Sequence, residues 1–278
     1  MAFKIEVLDR IPTYPGRVTL TPVSGQENTY DLVRADQPIQ EGTPVNKALF
    51  DRKADSLSED VTVYVSTNGS DTGGDGTSAA PFASVNAALR ALPKYLNGYT
   101  ATIDIAAGTY EERVRIENFS GGTLIVGNIG RSVIIRGLTI VSSSLVKLNI
   151  SNITRVDAII GTPLAISGGS NVIANSDITV DGERADVSGI TVSENSTFSS
   201  ASGVTVTSTK NNNYGILASN GSRVSLHTVA GGGNGTGLSA ETGAVISYGT
   251  RTMTATTAVR TLYGGRIVSG AQTDVPNY

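Results

Sequence analysis

The chain has 278 residues, a net charge of −3, no cysteine, 5% aromatic and 16% charged residues, and 32 glycines. This excludes disulfides and thiolate metal sites, and it offers no electrostatic footprint for nucleic acid or an anionic membrane. Ser, Thr, Asn, Val, Ile and Gly dominate, a mixture that suits short strands joined by tight turns. No stretch approaches the roughly 20 apolar residues of a membrane span. The opening Met1–Arg10 lacks the apolar region of a signal peptide, which points to synthesis in a cytoplasm.

Residues 1–60 have their own texture. They hold Pro12, Pro15, Pro22, Pro38 and Pro44, five of the nine prolines. Phe3–Leu8 alternates loosely and Arg17–Val23 alternates well, so both are predicted strands. Thr43–Leu57 reads as a helix, with Thr43 as N-cap, Pro44 at the first helical position, and Val45, Leu49 and Ala54 or Leu57 along one stripe. The segment has too few apolar residues for a core of its own and is expected to dock on another copy or another protein.

Residues 61–100 read as a cap. Val61–Val65 is a strand, Asn68–Thr77 a polar turn, and Ser84–Pro93 an amphipathic helix whose apolar face is Val85, Ala88, Leu89 and Leu92. A solenoid needs its first apolar cross-section covered, and such a helix covers it.

From residue 101 onward the sequence repeats. Six segments led by Gly137, Pro163, Gly189, Gly215, Gly237 and Val259 align without gaps, spaced 26, 26, 26, 22 and 22 residues apart. A fixed period in this range means units that cannot bury an apolar face alone and must stack. About 22 to 26 residues in three short strands is one coil of a parallel β-helix. With rungs about 4.8 Å apart, roughly seven coils make a rod on the order of 35 Å long. Val, Ile, Leu and Ala take the inward positions, and Thr, Ser, Asn and Lys the outward ones. Short outward side chains allow another subunit or a sugar to lie flat.

Two stretches resemble known families. Val63–Asp71, Gly74–Thr77, Pro81–Leu89 and Ile103–Glu112, with Gly108-Thr-Tyr110 ending a strand, resemble the opening of right-handed β-helix proteins of the pectin lyase-like fold. That group spans lyases, hydrolases, adhesins and tailspikes, so the likeness speaks to fold and not to activity. Thr13–Val23, Asn28–Pro38 and Glu41–Lys47 resemble the attachment segment of tail and baseplate proteins of phages and prophages of Gram-positive hosts. This implies a particle-attachment role for Tyr14, Pro15, Arg17, Tyr30, Arg34, Pro44 and Asn46. It also implies a virion location, other tail or baseplate proteins as partners of residues 1–60, and a homotrimer.

Candidate chemistry is sparse. Asp157 lies 26 residues before Glu183, and Asp181, Glu183 and Asp186 crowd one turn beside Arg184. Paired carboxylates about 5 or 6.5–9.5 Å apart cleave glycosides, so Asp157, Asp181 and Glu183 are the catalytic candidates for a polysaccharide depolymerase. The competing reading is a solvated turn. Asp71 and Asp75 offer a weak calcium loop or a structural capping turn. His227 is the single histidine and alternates outward on a strand. Asn175 falls where stacked amides hydrogen-bond along a rod. Asn211–Tyr214 and Gly231–Gly235 read as loops projecting from coil corners, with Asn212 and Tyr214 as glycan-binding candidates. No cofactor and no metal is expected. Residues 101–278 are therefore predicted to form an all-β, right-handed parallel β-helix behind the 61–100 cap and the 1–60 attachment segment. The function expected is a tail fibre, tailspike or baseplate adaptor that touches host polysaccharide or holds another fibre.

Overall fold

The computed structural model describes residues 11–13, 18–24, 29–34, 38–40, 56–154, 162–184, 187–211 and 213–270. The chain divides into two compact units, Phe3–Ala54 and, with Met1–Ala2, Asp55–Tyr278. In the first, β2 (Val18–Pro22) pairs antiparallel with β3 (Tyr30–Arg34), and β1 (Ile11–Pro12) with β4 (Pro38–Gln40). The strand expected over Arg17–Val23 is β2. The strand expected over Phe3–Leu8 lies outside the described residues, as does nearly all of the helix expected over Thr43–Leu57. Its last two residues are not helical stripe: Ser56 bridges Tyr95 in parallel, and Leu57 is buried in the core of the second unit.

The second unit is a right-handed parallel β-helix with three faces. The first sheet stacks β5 (Val61–Val65), β6 (Thr100–Ile105), β9 (Thr123–Gly127), β12 (Leu145–Asn149), β15 (Asn171–Ala174), β18 (Thr197–Ser200), β21 (Arg223–Ala230), β23 (Val245–Arg251) and β25 (Arg266–Ser269). The second stacks seven strands, β8 (Val114–Glu117), β11 (Leu138–Val141), β14 (Leu164–Ser167), β17 (Ile190–Val192), β20 (Tyr214–Ala218), β22 (Asn234–Glu241) and β24 (Ala255–Leu262). The third holds β7 (Gly108–Tyr110), β10 (Val133–Ile135), β13 (Asn152–Thr154), β16 (Ile178–Arg184) and β19 (Thr205–Asn211), and continues into the C-terminal halves of β21 and β23.

The two repeat lengths have one physical cause. Phe198 pairs with Val224, but Thr205 pairs with Thr228 and Tyr214 with Thr236, so the offset drops from 26 to 23 to 22 within a single coil. Three of the four residues lost come from the corner between the first and third faces, and the fourth from the corner between the third and second. In the shorter coils β21 and β23 bend through the former without leaving the sheet. The segment led by Val259 needs a one-residue correction. Leu238 pairs with Val259, so Ala258 is the partner of Gly237 and the last step is 21 residues.

Register stacks like on like. Ala101, Leu124, Val146, Val172, Phe198, Val224, Ile246 and Ile267 form one inward column on the first face, each at most 1% exposed. On the second face Val114, Leu138, Leu164, Ile190, Ile216 and Leu238 do the same, all fully buried. Each large apolar side chain so buried contributes about 1.5–3 kcal/mol. The corner between the second and first faces is a column of two-residue turns with both residues at positive φ: Gly168-Gly169, Glu194-Asn195, Asn220-Gly221, Thr242-Gly243 and Tyr263-Gly264. Glycine or asparagine holds the second place in every one, because that conformation crowds a Cβ.

Several polar groups inside the stack are paired along its axis. Ser143, Ser170, Ser196 and Ser222 form a buried column in which Ser143 N–H donates to Ser170 Oγ at 3.1 Å and Ser170 N–H to Ser196 Oγ at 3.1 Å, while Ser222 Oγ makes no hydrogen bond. Asn175 Nδ2 donates to Asn149 Oδ1 at 3.3 Å, the amide stacking expected for Asn175. At the N-terminal end, α1 (Val85–Ala91), the one helix among the described residues, covers the first cross-section with Val85, Ala88 and Leu89 buried. Leu92, its C-cap residue, is buried with them.

Candidate functional site

The carboxylates of the opening coils are structural. Ser84 caps α1 by accepting Ala87 N–H at 3.1 Å. Asp71 accepts Ala83 N–H at 2.8 Å, Ser84 N–H at 2.9 Å and Ser84 Oγ–H at 2.6 Å. Burial pushes the Asp71 carboxyl up, but these hydrogen bonds outweigh it and hold the carboxyl below its ordinary value. Asp75 accepts Thr77 N–H at 2.9 Å. The Asp71–Asp75 turn is thus a brace for the helix start. Glu112 reaches across from the strand side, accepting Val85 N–H at 2.5 Å, Asn86 N–H at 3.1 Å and Asn86 Nδ2–H at 2.6 Å. Between them the three side chains satisfy the orphan donors of the helix N-terminus. Among the described residues no group of three or more His, Cys, Asp or Glu could hold a metal, and no helix is long and apolar enough to cross a membrane.

The acidic candidates are only partly described. Asp157 and Asp186 lie outside the described residues. Glu183 lies in β16, where a register irregularity separates Asp181 from Arg184. Side-by-side stacking of Asp157 and Glu183 was expected from a 26-residue period. Where this face is described the offset is 27, since Thr154 pairs with Asp181. Asp181 is held by Lys210, whose Nζ is 2.8 Å from Asp181 Oδ2. His227 is exposed on β21, its Nδ1 3.2 Å from Thr228 Oγ1. Among the attachment candidates, Tyr14, Pro15, Arg17, Pro44 and Asn46 lie outside the described residues. Tyr30 and Arg34 are in β3, Tyr30 opposite Pro22 and Arg34 opposite Val18, and Val18, Leu20 and Tyr30 are exposed.

The corner expected to project as loops is instead drawn inward. Asn212 lies outside the described residues. Asn211 is fully buried at the end of β19, its Nδ2 donating to Asn234 Oδ1 at 2.9 Å and to Thr209 O at 2.7 Å. Asn234, 3% exposed, donates from its own Nδ2 to Ser208 O at 2.9 Å. Gly231 has φ +136, and a Cβ there would stand 1.9 Å from Ser208 O. The chain therefore packs backbone on backbone at Gly231, with Asn211 and Asn234 drawn inward, while Asn213 and Gly233 stay exposed. Tyr214 is a strand residue of β20, pairing with Thr236 and through it with Thr257.

Two arginines unmarked by the repeat bear on the same corner. Arg260 on β24 donates from Nη1 to Tyr214 Oη at 2.9 Å, with its guanidinium 5.7 Å from the ring centroid. Arg251 ends β23 and donates from Nη1 to Ala258 O at 3.4 Å and Met253 O at 3.5 Å. Met253 and Ala258, which Arg251 contacts, flank in sequence the Thr254–Thr256 side of a shallow, open depression of about 650 Å³, lined by Gly233, Asn234, Gly235, Thr254, Ala255 and Thr256. The sequence signal was slight: Arg260 is the second residue of the segment led by Val259, and Arg251 lies between two repeat segments.

The outer surface of the second sheet is built of short residues. Along one ladder row run Arg115, Thr139, Ala165, Thr191, Leu217, Ser239 and Arg260. Arg113 binds Thr139 Oγ1 through Nη2 at 2.9 Å, and Thr162 Oγ1 is 3.2 Å from Thr191 Oγ1. These hydroxyls are tied down, so the face is flat and ordered. Compared with protein-family models, with curated proteins and with solved structures, the chain finds no significant match.

Proposed function

We propose that this chain is a structural subunit of a virus particle: a tail fibre, tailspike or baseplate-associated adaptor. Residues 1–60 attach it to other tail or baseplate proteins. The β-helix, as a homotrimer, meets host-surface polysaccharide or carries another fibre. The observation that carries this reading is the run of short, half-exposed residues on the second sheet, Thr139, Ala165 and Thr191, beside a stack whose backbone hydrogen bonds are closed along its axis. A closed stack is stiff and kinetically stable, and a flat face of small polar residues suits side-by-side packing of copies or a sugar chain laid along it. Three-fold presentation turns weak contacts into firm adhesion. The resemblance of Thr13–Val23, Asn28–Pro38 and Glu41–Lys47 to tail attachment segments supports the same role.

Two measurements test it. Mass spectrometry of particles purified from cells expressing the gene should find the chain in numbers divisible by three. Sedimentation of the purified chain should give three times its chain mass. A monomer that is absent from such particles would overturn the proposal.

A further inference from the structure

The corner formed by the last three coils combines a depression with two arginines. The depression between Gly233–Gly235 and Thr254–Thr256 is lined by hydroxyls, an amide and bare backbone. Its volume, about 650 Å³, falls within the roughly 300–1,000 Å³ of small-ligand clefts, but those are mostly apolar. This lining instead suits a ligand that is itself covered in hydroxyls. Asn234 is pre-set, since its 3% exposure and its bonds to Asn211 and Ser208 leave the side chain no freedom to collapse into the space.

Charge gives the second half of the argument. Arg251 and Arg260 both contact the β24 region or its neighbours, and neither has a carboxylate partner among the described residues. Neither β23 nor β24 carries an acid, and two acids of earlier strands are engaged elsewhere. Glu241 accepts Ser239 Oγ–H at 3.0 Å, and Asp181 pairs with Lys210 at 2.8 Å. Arg260 spends one donor on Tyr214, which fixes the direction of the guanidinium and leaves the rest of its fork open. An oriented guanidinium binds carboxylate or phosphate through two parallel hydrogen bonds.

We propose that this corner binds an acidic polysaccharide, with a sugar ring in the depression and its carboxylate or phosphate on Arg260 and Arg251. Tyr214 acts here as the support of Arg260 rather than as a stacking platform. The inference rests on the reading that the β-helix meets host-surface polysaccharide, and names the chemistry of that polysaccharide.

The test is calorimetric titration of the full-length chain with three probes: an oligogalacturonate, an oligomer of hexose units joined by phosphodiesters, and a neutral dextran oligomer. At least one charged probe should bind, the neutral one should not, and the preferred charged probe identifies carboxylate or phosphate as the recognised group. Arg260→Gln should weaken binding about 10-fold, the loss of one charge-assisted contact, and higher salt should weaken it further. Thr256→Glu, on an exposed residue that bonds neither arginine, should abolish binding with an unchanged circular dichroism melt. Equal binding of the neutral probe, no binding of either charged probe, or undiminished binding by both variants would overturn the inference. A chain found in virions that binds none of the probes would sink this site alone and leave the virion role standing.

Discussion

Glu112 is the most consequential carboxylate in the described structure. It reaches from the coil that follows α1 and accepts Val85 N–H, Asn86 N–H and the Asn86 side-chain amide at 2.5, 3.1 and 2.6 Å. Val85 is fully buried and Asn86 only partly. In Glu112→Ala the Val85 N–H is stranded away from water, which costs about 1–3 kcal/mol. The half-exposed Asn86 donors recover part of their loss from solvent. The expected penalty is about 2 kcal/mol, confined to the cap, because a stacked array transmits stability mainly between neighbours. Amide hydrogen exchange with mass spectrometric readout checks it. Protection in α1, β5 and β6 should fall about 30-fold, while β20, β22 and β24 keep theirs. Glu112→Gln, which retains one acceptor, should give a smaller loss. Glu111→Gln is the control: that side chain pairs with Arg136 at 2.6 and 2.7 Å but is 64% exposed, so exchange should not change. Unchanged exchange in Glu112→Ala, or a uniform loss over all coils, would refute the idea that this residue pins the cap.

Asp71 gives the cap a pH dependence. Its folded carboxyl sits below the ordinary 3.8, so its stabilisation is complete above that value and is lost as pH falls through the lower folded value. Exchange from α1 should rise as pH falls below about 4 in the native chain and less so in Asp71→Asn, after correction for the intrinsic rate. Gly231→Ala should destabilise the C-terminal coils by about 3 kcal/mol or more, since its Cβ meets Ser208 O at 1.9 Å. Gly243→Ala, also at positive φ but facing open space, should cost only about 1 kcal/mol by urea denaturation. In the serine ladder, Ser170→Ala removes both an acceptor for Ser143 N–H and a 2.6 Å bond to Ser167 O and should cost about 1–3 kcal/mol. Ser222→Ala should be nearly neutral, because its buried hydroxyl makes no hydrogen bond and alanine already fills the next rung at Ala244.

The amino-acid sequence alone determined the stack. Inward columns of Val, Ile and Leu recur at coil length because every coil meets the same interior, and that leaves a period visible in one dimension. The Ser84 N-cap and the apolar face of α1 were legible for a similar reason, since capping and amphipathicity are set by residues within a few positions of one another. The serine ladder was also within reach, as Ser170, Ser196 and Ser222 keep the 26-residue spacing. What only the tertiary structure decided were the contacts that cross coils at varying offset. On the third face the described step from Thr154 to Asp181 is 27 residues, not the 26 of the repeat. The shortened corner drew Asn211 and Asn234 inside. Arg260 reached back over two rungs to Tyr214. A period reports the mean repeat of the core, whereas corners gain and lose residues without disturbing it, so the surface chemistry assembled there follows local register that no average spacing encodes.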